Sequence, residues 1–216
     1  VEQKLKSSKE LVLLRNDSIK NKDGSITDLS IYTTRSMVEA EINLVQLAER
    51  LSKAKSHEVY RHKVNAVITQ YDQKLSKHGG LSLDQKKALY HITAPEQLSC
   101  IVGYAGAGKT TALEAAKEIW EAEGYKVYGL APTGRAAQNL AQSGMSSQTL
   151  HKFLKSHKEG RCQYKAKSIL VLDEAGMVDT SRFDEFLQAV DDLKVKAVIV
   201  GDGAQLQPVE AGPAFR

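Results

Sequence analysis

Cysteine is scarce in this chain. Its 216 residues include two, Cys100 and Cys162, far apart and with no cluster of further ligands around either. That excludes a disulfide framework and argues against structural zinc. Cys100 falls in an apolar run that reads as a buried strand, so free thiols in a reducing cytoplasm are expected. Long hydrophobic runs are missing as well. None approaches the ~20 residues that cross a bilayer, and the N-terminus lacks the basic-then-apolar layout of a secretory signal. Strong charge of one sign is also absent. The net charge is +4, with 14 Lys/Arg against 10 Asp/Glu in residues 1–80 and 16 of each in residues 81–216. Such an excess does not by itself establish a nucleic-acid partner. Histidines 57, 62 and 78 read as exposed helical residues rather than metal ligands.

The remaining composition, 42% hydrophobic and 26% charged, is that of a globular protein. The length suits one large domain, or a domain with a smaller appendage. The chain starts at Val1 and stops at Arg216 directly after a motif, which reads as a piece of a longer protein.

Two short strands are expected at Leu11–Leu14 and Ile26–Tyr32, around the turn sequence Asn21-Lys22-Asp23-Gly24. Thr33 and Thr34 offer N-caps to a helix carrying Met37, Leu44, Leu47, Ala48 and Leu51 at helical spacing. A second helix is expected from His57 to about Ser76, ended by Lys77-His78-Gly79-Gly80. Nothing in residues 1–80 has the spacing of a catalytic site. From Leu81 onward helices alternate with apolar strands near 98–102, 126–130, 168–172 and 196–200. That alternation predicts an α/β fold, a parallel sheet with helices on both faces, whose ligands bind at the carboxyl ends of the strands.

One such end carries Gly103-Tyr104-Ala105-Gly106-Ala107-Gly108-Lys109-Thr110, between the apolar run 98–102 and a helix predicted over Thr110–Glu123. Glycines 103, 106 and 108 let the backbone curl so that successive N–H groups face a polyphosphate, aided by the helix N-terminus. Lys109 is placed to reach the β- and γ-phosphates, and the Thr110 hydroxyl, followed by Thr111, to ligate Mg²⁺. A second strand, Ile169–Leu172, ends in Asp173-Glu174-Ala175. Beside a phosphate loop the first carboxylate suits the metal and the second suits activation of water. A third, Val198–Val200, leads into Gly201-Asp202-Gly203-Ala204-Gln205-Leu206-Gln207-Pro208. This places Asp202 and Gln205 near the γ-phosphate, where an amide can donate to phosphate and accept from water. Together these segments predict a site for ATP with Mg²⁺.

In this order and spacing the three segments resemble motifs I, II and III of superfamily 1 DNA helicases, and more closely their RecD-like, 5′-to-3′ branch. Within it, Gly103–Thr110, Asp173–Val178 and Val209–Arg216 resemble the helicase segment of conjugative-transfer relaxases of the TraA type. The likeness is strong over residues 81–216 and loose over 30–60. It implies a P-loop, RecA-like ATPase domain 1A at 81–216, ending after motif III, preceded by a small, mostly helical N-terminal subdomain at 1–80. The implied activity is ATP hydrolysis coupled to 5′-to-3′ translocation on single-stranded DNA. The implied partners are that DNA and the relaxase and second RecA-like domains of the same polypeptide. The latter would supply an arginine finger worth roughly 10³–10⁵ in rate.

The resemblance also assigns roles. Gln85 is implied to read the adenine edge, although Ser82 and Gln85 equally form a Ser-x-x-Gln capping box. Thr133, Gly134 and Arg135 resemble motif Ia, and Thr149, His151 and Lys152 the following single-strand contact. Lys152, Lys155, Lys158, Arg161, Lys165 and Lys167, opposed within the run by Glu159 alone, are either a solvated face or part of the same DNA track. A RecD-like repair helicase, or a nucleotide-dependent binding module without motor activity, remain alternative readings.

Overall fold

The computed structural model describes residues 8–104 and 106–202, leaving aside the side chain of His78. The chain divides into two compact units, Val1–Val45 and Gln46–Arg216. The first holds an antiparallel hairpin of β1 (Leu11–Lys20) and β2 (Ile26–Thr34), longer than the sequence suggests, with a register shift between Leu13 and Arg15. Asn21 closes the turn by accepting from Gly24 N at 3.0 Å. The long helix α1 (Arg35–Lys53) starts in this unit, and the Thr34 hydroxyl accepts from Met37 N at 3.2 Å as its cap.

The second unit continues with α2 (Arg61–Lys74), a short 3₁₀ turn (Ser76–His78) and α3 (Leu83–Ile92). Then follow β3 (Leu98–Val102), α4 (Lys109–Ala122), β4 (Lys126–Ala131), α5 (Gly134–Gln142), β5 (Ser146–Thr149), α6 (Leu150–Lys158), β6 (Ser168–Leu172), a 3₁₀ turn (Ala175–Met177), α7 (Thr180–Leu193) and β7 (Lys196–Gly201). Strands β3 to β7 form one parallel sheet in the order β3-β7-β6-β4-β5. Parallel strands need crossovers, and the helices that provide them cover both faces.

Side-chain alternation divides the core. Val127, Ala131, Ile169, Val171, Val198 and Val200 point to the face packed by α2 to α5, where Ile119 and Trp120 are wholly buried. Their neighbours Leu130, Leu170, Leu172, Ala197 and Ile199 are buried on the other face, as are Phe153 of α6 and Phe186 of α7, 6.2 Å apart between ring centroids. Val64, Ile68 and Tyr71 of α2 share the first of these cores. The division expected at residue 80 therefore falls inside the second unit, because α2 packs against α3 and α4 and its apolar stripe joins their core.

Other differences have similar causes. The helix expected from His57 starts at Arg61. His57 is buried rather than exposed, with Nδ1 2.7 Å from Ser56 Oγ and Nε2 2.8 Å from the Ala166 carbonyl. Burial pushes its pKa down, so it is a neutral, satisfied core histidine. Cys100 is exposed rather than buried, since β3 is an edge strand and Cys100 shares its uncovered side with Val102, 69% exposed. The polar strand β5, Ser-Ser-Gln-Thr, carries no apolar period for sequence reasoning to find.

At the amino end of the sheet Lys196 is fully buried. Its ammonium donates to the Ala94 carbonyl at 2.8 Å, to the Glu96 carbonyl, and to Ser99 Oγ at 3.3 Å. Desolvation pushes its pKa down to about 8, against a smaller upward pull from Glu96. Below that pH both folded and unfolded chains hold the proton. Between about 8 and the ordinary 10.5 the unfolded chain binds a proton that the folded chain releases, so stability rises with pH by up to about 3 kcal/mol. Urea unfolding is therefore expected to show wild type gaining stability relative to Lys196→Met as pH rises from about 8 to about 10. Parallel curves would contradict this.

Candidate functional site

The carboxyl ends of β3, β7 and β6 lie side by side, and three segments meet there. Gly103 N donates to the Gly201 carbonyl at 3.1 Å, joining the phosphate-loop sequence to the end of β7. On the far side Asp173 N donates to the Leu130 carbonyl at 2.9 Å. Gly106 and Gly108 hold φ of 80° and 75°, the left-handed region open to glycine. A Cβ on Gly108 would also come within 2.2 Å of the Gln85 amide nitrogen. Gly106 and Ala107 are exposed, and α4 begins at Lys109 with no side-chain cap. Its first-turn amides, those of Lys109, Thr110 and Thr111, are therefore available to an anion.

Lys109 occupies the centre. Its ammonium donates to the Gly103 carbonyl and to the Tyr104 carbonyl, the latter at 3.2 Å, and lies 3.7 Å from Asp202 Oδ2. Asp202 is buried, which makes it the lysine's fixed anionic neighbour. Lys109, Thr110 and Asp173 line one cavity of about 410 Å³ together with Glu114, Asn139 and Ser143. The structure thus brings the loop lysine, the adjacent hydroxyl and Asp173 to one cavity. Asp202, which its segment places near the γ-phosphate, meets Lys109 instead, and Glu114 facing this cavity is a residue that no motif assigns. Glu114 depends on tertiary contacts alone.

Burial raises the pKa of Asp173, offset in part by the Glu174 amide donating to it at 2.9 Å and by the charge of Lys109. Burial, then the charge of Asp173, raises that of Glu174. The half-buried Asp173 carboxyl and the Thr110 hydroxyl line the same cavity, and both are hard oxygen donors of the kind that fits Mg²⁺. Glu174 holds φ of 52°, uncommon for a residue with a side chain and frequent at functional positions.

A smaller cavity of about 100 Å³ lies on the other side of the loop, lined by Asp84, Gln85, Ala88, Ile101, Gly108 and Ala112 among others. Both alternatives drawn for Gln85 bear on it. The capping box is formed, with Gln85 Oε1 accepting from Ser82 N at 2.8 Å and Ser82 Oγ accepting from Gln85 N at 3.1 Å. The amide nitrogen at the same time donates to the Gly108 carbonyl at 3.1 Å, at the cavity wall.

Farther along the carboxyl edge, Ala131 of β4 pairs in register with Thr149 of β5. Two helix N-termini follow from these strand ends. Thr133 caps α5 by accepting from Ala136 N at 3.2 Å, and Thr149 caps α6 by accepting from Lys152 N at 3.3 Å. Thr133, Gly134, Arg135, His151 and Lys152 are exposed there. The basic run beyond them is less open than its sequence suggests, since Lys158 pairs with Glu185 of α7 at 2.7 Å and Arg161 with Glu159. Gln205 and the segment Val209–Arg216 lie outside the described residues.

Residues 80–216 match the family model described as an AAA domain. The chain is 42% identical over 186 residues to the probable conjugal transfer protein TraA of Sinorhizobium fredii, covering 86% of this chain and 16% of that protein. It is 38% identical to the conjugal transfer protein TraA of Agrobacterium fabrum, over 96% of this chain and 18% of the relative. A more distant likeness, 31% over 138 residues, is to the ATP-dependent RecD2 DNA helicase of Deinococcus radiodurans, covering 62% of this chain and 19% of that helicase. The chain thus spans less than a fifth of the length of the curated relatives it matches. With the family match running over well more than half of its length, and the phosphate loop and acidic strand end folded against each other, the chain belongs to the AAA-domain family.

Proposed function

We propose that this chain is the ATP-binding motor-domain segment of a DNA helicase acting in conjugative DNA transfer in the cytoplasm. The observation that carries the reading is the meeting of Lys109, Thr110 and Asp173 around one cavity at the carboxyl edge of a parallel sheet. A triphosphate would lie along the curled loop and the α4 N-terminus, with its base toward the small cavity beside Gln85. Lys109 would exchange the Gly103 and Tyr104 carbonyls for phosphate oxygens, a stronger charge-assisted contact. Thr110 and Asp173 would hold Mg²⁺, which neutralises developing charge on the phosphates. Glu174, its pKa raised by burial and then by the charge of Asp173, would orient and deprotonate the attacking water. Gln205 would sense the γ-phosphate. Adenine contact by Gln85 would require its amide to leave Gly108.

Single-stranded DNA is proposed to cross the N-termini of α5 and α6, touching Thr133, Gly134, Arg135, Thr149, His151 and Lys152. The identity to TraA proteins supports the conjugative reading, and their greater length supports relaxase and second RecA-like domains elsewhere in the same polypeptide. Because that second domain would supply the arginine finger, the segment alone is expected to bind ATP–Mg²⁺ and to turn it over very slowly.

Fluorescent-nucleotide titration and phosphate release check the division of labour. Lys109→Ala is expected to weaken nucleotide binding by tenfold or more, whereas Glu174→Gln leaves binding nearly intact and lowers residual hydrolysis. Loss of binding in Glu174→Gln would overturn the roles given to Asp173 and Glu174.

The two caps admit a separate test, since each hydroxyl already serves its own helix. Thr133→Ala is expected to cost about 1 kcal/mol of stability from the lost cap and to weaken single-strand binding. Thr133→Ser should restore both. DNA affinity unmoved by Thr133→Ala, despite the lost stability, would leave the threonine with a structural role only.

A further inference from the structure

Helix α6 carries a feature that the nucleotide site does not use. His151, Lys155 and Lys158 are four and three residues apart, which places them on one face of the helix, and all three are exposed. Together with Leu154, and with Arg182 and Glu185 of α7 opposite, they line a groove of about 330 Å³. His151 at its mouth is one of the proposed strand contacts, so the groove is continuous with the carboxyl edge of the sheet. From His151 to Lys158 the helix rises ~10 Å. That is room for at most about three nucleotides at the ~3.4 Å rise of a stacked strand.

The charges along the groove have unequal commitments. Lys158 is 2.7 Å from Glu185, and Arg182 is 3.1 Å from Asp179, whose carboxylate also caps α7. Lys155 has no carboxylate partner among the described residues. Glu159 at the far end pairs with Arg161. An ion pair as exposed as Lys158–Glu185 contributes little to stability, so a phosphate can share or displace it. Among the described residues the walls carry three cations, Lys155, Lys158 and Arg182, over aliphatic side-chain stems, and the two carboxylates present, Glu159 and Glu185, are each already paired with a cation. Such a surface can hold a run of backbone phosphates at the cationic heads.

We propose that the groove between α6 and α7 is a backbone-binding extension of the single-strand path, with Lys155 and Lys158 on one wall and Arg182 on the other taking phosphates beyond His151. This rests on the single-strand reading of Thr133 and His151. It adds Arg182, which no motif assigns, and leaves Lys165 and Lys167 outside the path. Beyond His151 the described lining offers no aromatic ring for bases to stack on, so the contact there is indifferent to sequence.

The test is fluorescence anisotropy of the 216-residue chain with labelled oligo-dT of increasing length, across a salt series. Lys155→Ala is expected to weaken binding of long oligomers two- to fivefold and to reduce the slope of log affinity against log salt by about 0.7. Short oligomers, filling only the Thr133–His151 edge, should be unaffected. Lys155→Glu should exaggerate the loss while leaving the circular dichroism spectrum unchanged. Equal loss for short and long oligomers, or an unchanged salt slope, would overturn the groove while leaving the edge reading intact. Polyglutamate bound as tightly as long oligo-dT, and released by the same variants, would assign the groove to acidic peptide and overturn it too. Failure of wild type to bind any oligomer would overturn both readings together.

Discussion

A single ammonium group ties the site together. Lys109 sits between two carbonyls of its own loop and the buried carboxylate of Asp202, and its charge also reaches Asp173. The arrangement needs three strand ends in one plane, which only the order β3-β7-β6 supplies. Were β7 not inserted between the other two, Asp202 would not face the loop and the acidic strand end would be one strand nearer. The parallel sheet is thus the frame that sets the distance between a cation and two kinds of carboxylate. The apolar alternation of Val198, Ile199 and Val200 holds that frame by filling both faces at once.

The same edge explains why the loop is built from glycine. Gly108 brings the backbone against the Gln85 amide, a contact that a methyl group would prevent. The Ser82–Gln85 cap fixes that amide in place. A helix cap, a loop and a small cavity are therefore mechanically linked, so the glutamine serves α3 and the loop in the same conformation. Sequence reasoning leaves capping and nucleotide contact as alternatives; the geometry shows the cap formed and the amide already standing at the cavity.

Local features were the legible ones. The strand–glycine loop–helix unit, the Asp173-Glu174 strand end and the Ser82–Gln85 cap each lie within a few residues of chain, where spacing alone implies geometry. Thr133 and Thr149 stood out only through the family resemblance, and their hydroxyls are engaged as helix caps. What stayed hidden depended on partners distant in sequence. His57 is satisfied by a carbonyl more than a hundred residues away, and Lys158 by Glu185 on another helix. The strand β5 has no apolar signature because it is a short polar edge strand. The compact-unit boundary moved because the apolar stripe of α2 found its core among later elements.

The most direct test of the central claim is a crystal structure of the chain with Mg²⁺ and a non-hydrolysable ATP analogue. The account predicts phosphate oxygens against the amides of residues 106–111 and the Lys109 ammonium. It also predicts the metal at about 2.1 Å from the Thr110 hydroxyl, on the side facing Asp173. A triphosphate bound elsewhere, or a metal whose coordination involves neither Thr110 nor Asp173 directly or through water, would contradict it.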